Sequence, residues 1–332
     1  MKRNFTYLLS LQFALLVLVR LGYAQQDAQF SQYMFNPFYY NPAVAGADGK
    51  ANFFLTHRTQ WLGYSASFDD GGSPQTQMFS AMAPFIFVPN TGVGLHVVRD
   101  VRGPLTSLEA QLSANYHFSV FEDKGKLSVG VRGGVYSQTV DGNKFRFVDG
   151  NDAVAQYWIG RRETALKPDL AFGVWYSQED FYVGLAGNHL LGSQISFGLD
   201  NLIDNALARN LYVTGGYNYP LNDQWLLQPS VMIKTIPEAT LKTTSVEVSV
   251  LGTYNQKFWG GLSFRQSDAL IAMIGMYPLK DNSMRVGYAF DYTISGRQGK
   301  APTSHEVFLS YGLAWKRYGK PTPETPRHGT RH

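Results

Sequence analysis

Ser304, His305 and Glu306 are consecutive. They are the residue types of a nucleophile, a general base and an orienting carboxylate, and acyl transfer would need the three side chains to converge. In a strand, successive side chains point to opposite faces, so three neighbours cannot converge. Asn188 and His189 are parts of the kind of site that hydrolyses phospholipid on a barrel wall, but the sequence singles out no serine to complete it. There is no Gly-x-Ser-x-Gly elbow, no His-Glu-x-x-His zinc helix and no phosphate-binding loop. The 7 histidines are scattered, and the absence of cysteine excludes disulfides, thiol catalysis and Cys-ligated metal. The expectation is a protein that is not an enzyme, with no catalytic residue, no cofactor and no metal site.

What positions the side chains is a period of two. Along 107–120, Leu108, Ala110, Leu112, Ala114, Tyr116, Phe118 and Val120 share one face, while Ser107, Glu109, Gln111, Ser113, Asn115, His117 and Ser119 share the other. So long an alternation exceeds an ordinary soluble strand and suits a tilted membrane strand. It recurs at 127–135, 284–294 and 306–315. Extended along the chain, it predicts about 14 strands, an even number as in other bacterial barrels of this kind. Their approximate spans are 51–58, 75–87, 92–99, 106–120, 126–138, 168–178, 180–190, 208–220, 224–235, 241–256, 257–267, 269–279, 283–295 and 304–315.

Loop lengths give an independent indication. Connections after even strands are short, as at Val88–Thr91, Gln178–Asp180 and Leu221–Asp223. Several after odd strands are long: 59–74, 139–167 and 191–207. Short turns at one rim and long loops at the other is the plan of an outer-membrane barrel, and a soluble β-sandwich has no reason to sort loops by parity. The expected fold is therefore all-β: a transmembrane antiparallel β-barrel.

Composition agrees. Charged residues are 16% of the 332, and Tyr and Phe contribute 20 and 22 with 33 Gly. No stretch after the N-terminus is long and apolar enough for a transmembrane helix. Lys2 and Arg3, the apolar run Phe5–Val19, and Gly22 and Ala24 before Gln25 form the charge, apolar core and small-residue site of a signal peptide. The formal charge of +4 is concentrated at the ends, in Lys2, Arg3 and Arg20 and in Lys316, Arg317, Lys320, Arg327 and Arg331. The body between is slightly acidic, so nucleic acid is not an expected partner. The expected division is 1–24 signal peptide, 25–50 N-terminal periplasmic plug segment, 51–315 barrel and 316–332 basic periplasmic tail.

Three sets of residues could serve function. Glu109, Arg132, Lys234, Glu247, Arg265, Arg285, Asp291 and Glu306 fall on the inward face, where charge is cheap. They either hold the lumen together or line a conduction path, and pairing among Glu247, Arg265 and Arg285 is expected. Residues 26–46 hold six aromatics, Tyr33 among them, and two turn-forming pairs, Asn36-Pro37 and Asn41-Pro42. Six aromatics need a surface to pack on, and a plug folded into or across the periplasmic mouth supplies one. The long loops carry Trp61, Tyr64, Tyr157, Trp158 and Arg161, which are residue types that anchor interfaces. They either contact a partner or pack on each other and close the barrel.

Gln29-Phe30-Ser31-Gln32-Tyr33-Met34-Phe35-Asn36-Pro37, Asn41-Pro42-Ala43-Val44-Ala45-Gly46 and Arg58-Thr59-Gln60-Trp61 resemble the motifs of the PorP/SprF family of the type IX secretion system. The resemblance continues at Lys167-Pro168-Asp169, Asn188-His189-Leu190, Phe258–Arg265, Arg285–Tyr292 and Ser304-His305-Glu306. It covers essentially the whole chain after the leader; the basic tail after Trp315 departs from it. It implies an outer-membrane protein that supports secretion or surface anchoring of particular large proteins such as gliding adhesins. The implied partners are the secreted adhesin or its C-terminal domain and the periplasmic secretion components, with outer-membrane lipid around the barrel. Both termini are then expected in the periplasm. The alternative function is a passive outer-membrane channel or small-solute transporter.

Overall fold

A computed structural model describes residues 27–65, 72–121, 124–147, 153–198, 203–237, 244–296 and 299–315. The expected signal peptide and basic tail lie outside the described residues. The strands are β1 (Lys50–Thr59), β2 (Gln75–Pro84), β3 (Thr91–Arg102), β4 (Leu105–Val120), β5 (Gly125–Asp141), β6 (Arg162–Ser177), β7 (Phe181–Asn188), β8 (Gln194–Phe197), β9 (Ile203–Ala206), β10 (Asn210–Tyr217), β11 (Tyr219–Pro220), β12 (Trp225–Thr235), β13 (Ser245–Tyr254), β14 (Phe258–Arg265), β15 (Ala269–Met276), β16 (Met284–Thr293) and β17 (Thr303–Ala314). β8 and β9 form a separate hairpin, and β10 and β11 are one strand interrupted at Asn218. The remaining pairings are antiparallel and close on themselves through β1–β17 and β10–β12, giving the expected barrel of 14 strands.

Closure removes every edge, so each wall strand finds two partners and no backbone donor need face lipid. The alternation read from the sequence is the alternation of the wall. Leu112 on β4 is 67% exposed and Leu262 on β14 is 69% exposed on the outside, while Gln111, Ser113, Asn115 and His117 are buried inside. Exposed Phe87, Phe121, Tyr219, Trp225 and Phe258 gather at the short-turn rim, the position of an interfacial aromatic belt.

Two long connections hold more structure than expected. β6 begins at Arg162, with Val135 paired to Pro168, so β5 and β6 project past the rim as a paired arm. Proline removes a ladder donor, but β7 pairs with β6 only over Phe172–Ser177, so at Pro168 the second ladder has already ended. The 191–207 connection folds as the β8–β9 hairpin.

Inside the wall runs the N-terminal segment. It starts at the long-loop end, where Asp27 bonds His189 and Tyr212, and descends to the short-turn end, where the Lys126 ammonium donates to the Ala47 carbonyl at 2.7 Å. The segment thus threads the lumen over the whole distance between these two ends. Phe30, Tyr33, Phe35, Phe38, Tyr39 and Tyr40 are all buried. Pro37 and Pro42 open short helical turns at Pro37–Tyr40 and Pro42–Val44, where their fixed φ suits a first position. Asn41 Oδ1 caps the second turn by accepting from Ala43 N–H, while Asn41 Nδ2 donates to the carbonyls of Val174 and Leu185 at 2.9 and 3.2 Å.

The wall is thinned where this segment passes. A Cβ at Gly130 would meet the Ala43 and Pro42 backbone, and one at Gly92 would meet the Ala45 carbonyl. Gly130→Val is expected to push the segment off the β5 wall and expose it. The check is proteinase K cleavage within 27–49 on folded barrel: the variant should be cut many times faster than wild type, and equal rates would refute the close packing.

Candidate functional site: the plugged lumen and the long-loop rim

Four of the expected inward charges, Glu247, Arg265, Asp291 and Glu306, gather into one buried cluster near the long-loop end. Arg58 on β1 sits between Asp291 on β16 and Glu306 on β17, with Nη2 to Asp291 Oδ2 at 2.7 Å and Nη1 to Glu306 Oε2 at 3.3 Å. Arg58 ↔ Glu306 is a direct cross-strand pair across the closing seam. On the adjoining wall, Arg265 Nε meets Glu247 Oε2 at 2.7 Å, and Nη1 lies 3.3 Å from Asp268 and 3.7 Å from Asp291. Lys300 extends the chain to Asp268 at 2.9 Å.

The N-terminal segment completes this cluster. Ser31 and Gln32 donate their backbone N–H groups to the two oxygens of Glu306 at 2.7 and 3.0 Å. Ser31 Oγ donates to Asp291 at 2.7 Å and accepts from Arg58 at 2.6 Å, and the Phe30 carbonyl accepts from Arg265 at 3.4 Å. A buried ion pair is tolerable only when its remaining lone pairs and protons are met, and here the plug backbone meets several of them.

The other expected lumen charges serve the same segment at other heights. Arg132 donates to the carbonyls of Phe38 and Tyr39 and lies over the Phe38 ring. Glu109 holds His96 at 2.7 Å, and His96 packs against Phe38 and Tyr39. Arg285 does not join Glu247 and Arg265 as expected. It sits at the opposite end of the lumen between the rings of Phe35 and Tyr277, at 4.6 and 4.9 Å. Of the plug residues, Tyr33 reaches Ser230 at 3.0 Å and Asn36 reaches Ser80 at 3.0 Å.

Several contributors escaped the sequence reading. Arg58, Asn115, Lys126 and Asp169 are inward by parity, but parity alone does not say which inward residues meet the plug. Asn115 donates to the carbonyls of Ala43 and Ala45 at 2.9 and 2.8 Å. His189 lies just past β7 with φ of 57°, its Nε2 on Asp27 and its Nδ1 on Asp169, each at 2.7 Å. Both ring nitrogens are therefore committed to carboxylates, which leaves none to activate a serine. Burial disfavours charge on this imidazole, but the Asp27 carboxylate and the hydrogen bonds from Asp169 and Asp27 outweigh it, and the His189 pKa is raised well above its ordinary value.

At the long-loop rim, the aromatics mostly face one another. Trp158 is 2% exposed, packed with Tyr136, Val140, Ile195, Phe197 and Leu207. Tyr157 lies edge-on to Trp158, bonds Glu163 and is covered by the Arg161 guanidinium at 4.5 Å. Trp61 packs with Tyr64 and beneath the Lys300 ammonium. Among the described residues the rim exposes aliphatic Leu62, Val154, Ile159 and Leu191 together with the cations Arg161 and Arg162.

A model of the type IX secretion system membrane protein PorP/SprF matches residues 22–311. The chain belongs to the PorP/SprF family. No curated protein matches it. Among solved structures, a FadL homologue of Pseudomonas aeruginosa is 13% identical, with 83% of this chain and 93% of that chain covered at a TM-score of 0.49. The monoaromatic hydrocarbon channel CymD is 11% identical over 88% and 95% of the two chains, also at 0.49. Of the residues that carry the PorP/SprF resemblance, Arg58, His189, Asp291 and Glu306 bond the plug directly, and Asp169 holds His189 from the wall.

Two outcomes are expected from this geometry. Arg58→Met leaves two buried carboxylates facing each other and should cost about 3–5 kcal/mol of barrel stability; the readout is the urea midpoint of the heat-modifiable gel shift, and an unchanged midpoint would contradict it. His189 links plug to wall through its charge, and its folded pKa is raised, so that contribution is complete below the unfolded value near ~6.5 and is lost as pH rises through the folded one. Proteolysis of the plug should therefore accelerate on alkaline titration in wild type, with a flatter profile in His189→Asn.

Proposed function

We propose that this PorP/SprF protein acts through protein partners as an outer-membrane accessory of type IX secretion, which holds or presents a particular large secreted protein, such as a gliding adhesin, at the cell surface. The observation that carries this reading is the occupied lumen. The N-terminal segment is bonded to the wall at the level of Glu306, of Arg132 and of Lys126. A barrel filled in this way is suited to a platform more than to passive flux, which favours this reading over the channel alternative.

In this reading the short turns face the periplasm and the long loops face outward. The tail after Trp315 then starts on the side of the periplasmic secretion components. The outward rim offers Leu62, Ile159 and Arg161 to the client or its C-terminal domain. Trp158 supports that rim from beneath, while Trp61, Tyr64 and Tyr157 are half-buried and leave an edge open to the client. The third reading, lipid hydrolysis, has little support from His189, whose nitrogens are both occupied by carboxylates.

The test is a pull-down from detergent-solubilised outer membrane through a tag on the C-terminal tail. A stoichiometric large surface protein is expected, and it should be lost when 59–74 and 139–167 are excised from a barrel that still folds. Ile159→Asp should weaken the same capture without loss of heat-modifiable folding. Recovery of the lone barrel, together with steady conductance in planar bilayers, would overturn the reading in favour of a channel.

A further inference from the structure

The outer wall of the barrel is mostly apolar, and near the long-loop ends of β1 to β3 it carries a polar row. His57 on β1, Gln77 on β2 and Arg99 on β3 all point outward. They are direct cross-strand partners, His57 ↔ Gln77 and Gln77 ↔ Arg99, and so form one row across three neighbouring strands. Hydrogen bonds run along it. Arg99 Nη1 donates to Gln77 Oε1 at 3.0 Å, Gln77 Nε2 faces His57 Nδ1 at 3.3 Å, and His57 Nε2 faces Thr59 Oγ1 at 3.2 Å.

Directly below, toward the short-turn end, lies a second row: Leu309 ↔ Leu55 ↔ Phe79 ↔ Val97. These side chains, with Val307, line a shallow groove of about 510 Å³ that opens to the exterior. Among the described strand residues, the outward positions of β17 and β1 to β4 carry no acidic side chain. Arg99 is thus a cation with no carboxylate beside it on that wall, held by Gln77 so that only one of its five N–H donors is used in the row.

A fixed cation on a lipid-facing wall is costly at depth and tolerable near the headgroups, and β1 and β3 end shortly beyond the row, at Thr59 and Arg102. The guanidinium fork matches phosphate geometry. The apolar row beneath it matches acyl chains running down the barrel. We propose that the Arg99–Gln77–His57 row, with the groove under it, is a binding site for a phosphorylated lipid: phosphate on Arg99, acyl chains against Leu55, Phe79 and Leu309. Gln77 and His57 orient the guanidinium toward the headgroup. This is independent of the partner role proposed above, since it concerns the outside of the wall and neither the lumen nor the long-loop rim.

The experiment is native mass spectrometry of the full-length protein in detergent, offered diphosphorylated lipid A, its dephosphorylated form or phosphatidylcholine. Wild type is expected to retain the diphosphorylated lipid selectively. Arg99→Gln should weaken retention about tenfold, as for loss of a charge-assisted phosphate contact, and Gln77→Leu should weaken it less. Arg162→Gln, which removes an outward cation from the projecting arm, should leave it unchanged. Leu55→Trp, which fills the groove and keeps Arg99, should also lose the lipid, and it serves if Arg99→Gln fails the heat-modifiability check. Equal retention of the dephosphorylated lipid, indifference to both Arg99→Gln and Leu55→Trp, displacement by inorganic phosphate alone, or capture of a protein on this row in place of lipid would each overturn the proposal.

Discussion

The structure turns on the enclosure of Arg58 between Asp291 and Glu306. A guanidinium taken out of water survives only if its charge is met, and these two carboxylates meet it from strands at the far end of the chain. The same carboxylates still have lone pairs to satisfy, and Ser31 and Gln32 supply the donors. One buried interaction therefore ties together the seam that closes the barrel and the segment that fills it. The wall would be under-satisfied without the plug, and the plug has no apolar surface to cover its aromatics without the wall.

Much of this was legible in the sequence. Period-two alternation gave the wall, its inner and outer faces and, through loop parity, its two rims. The aromatics of 26–46 and the paired Asn-Pro turns pointed to a segment that must pack on something. Depth was not legible. Nothing in the order of residues says that Asp27 reaches His189 and Tyr212 at the long-loop end, because those bonds join positions far apart in sequence.

The loops show a different limit. Tyr157 and Trp158 have the composition of an interface, but aromatic residues in a small loop also make the best core for that loop. Trp158 and the β8–β9 hairpin took that second course. Arg285 shows the same ambiguity for charge: strand adjacency suggested Glu247 as its partner, yet strand direction places it at the other end of the lumen, between Phe35 and Tyr277. Parity assigns a residue to a face but not to a height.

The position of the plug at the start of the chain bears on how the molecule is made. Ser31 leaves the export channel early, and its partner Glu306 emerges near the end of synthesis, 275 residues later. Contacts of such separation carry a large loop-closure cost and form late. The seam that makes the enclosure permanent, β1 against β17, joins the same two regions. Sealing the ring and seating the plug are thus one event in assembly. A chain that closed first would have shut its own N-terminal segment outside, with six aromatics and several buried charges left to other surfaces.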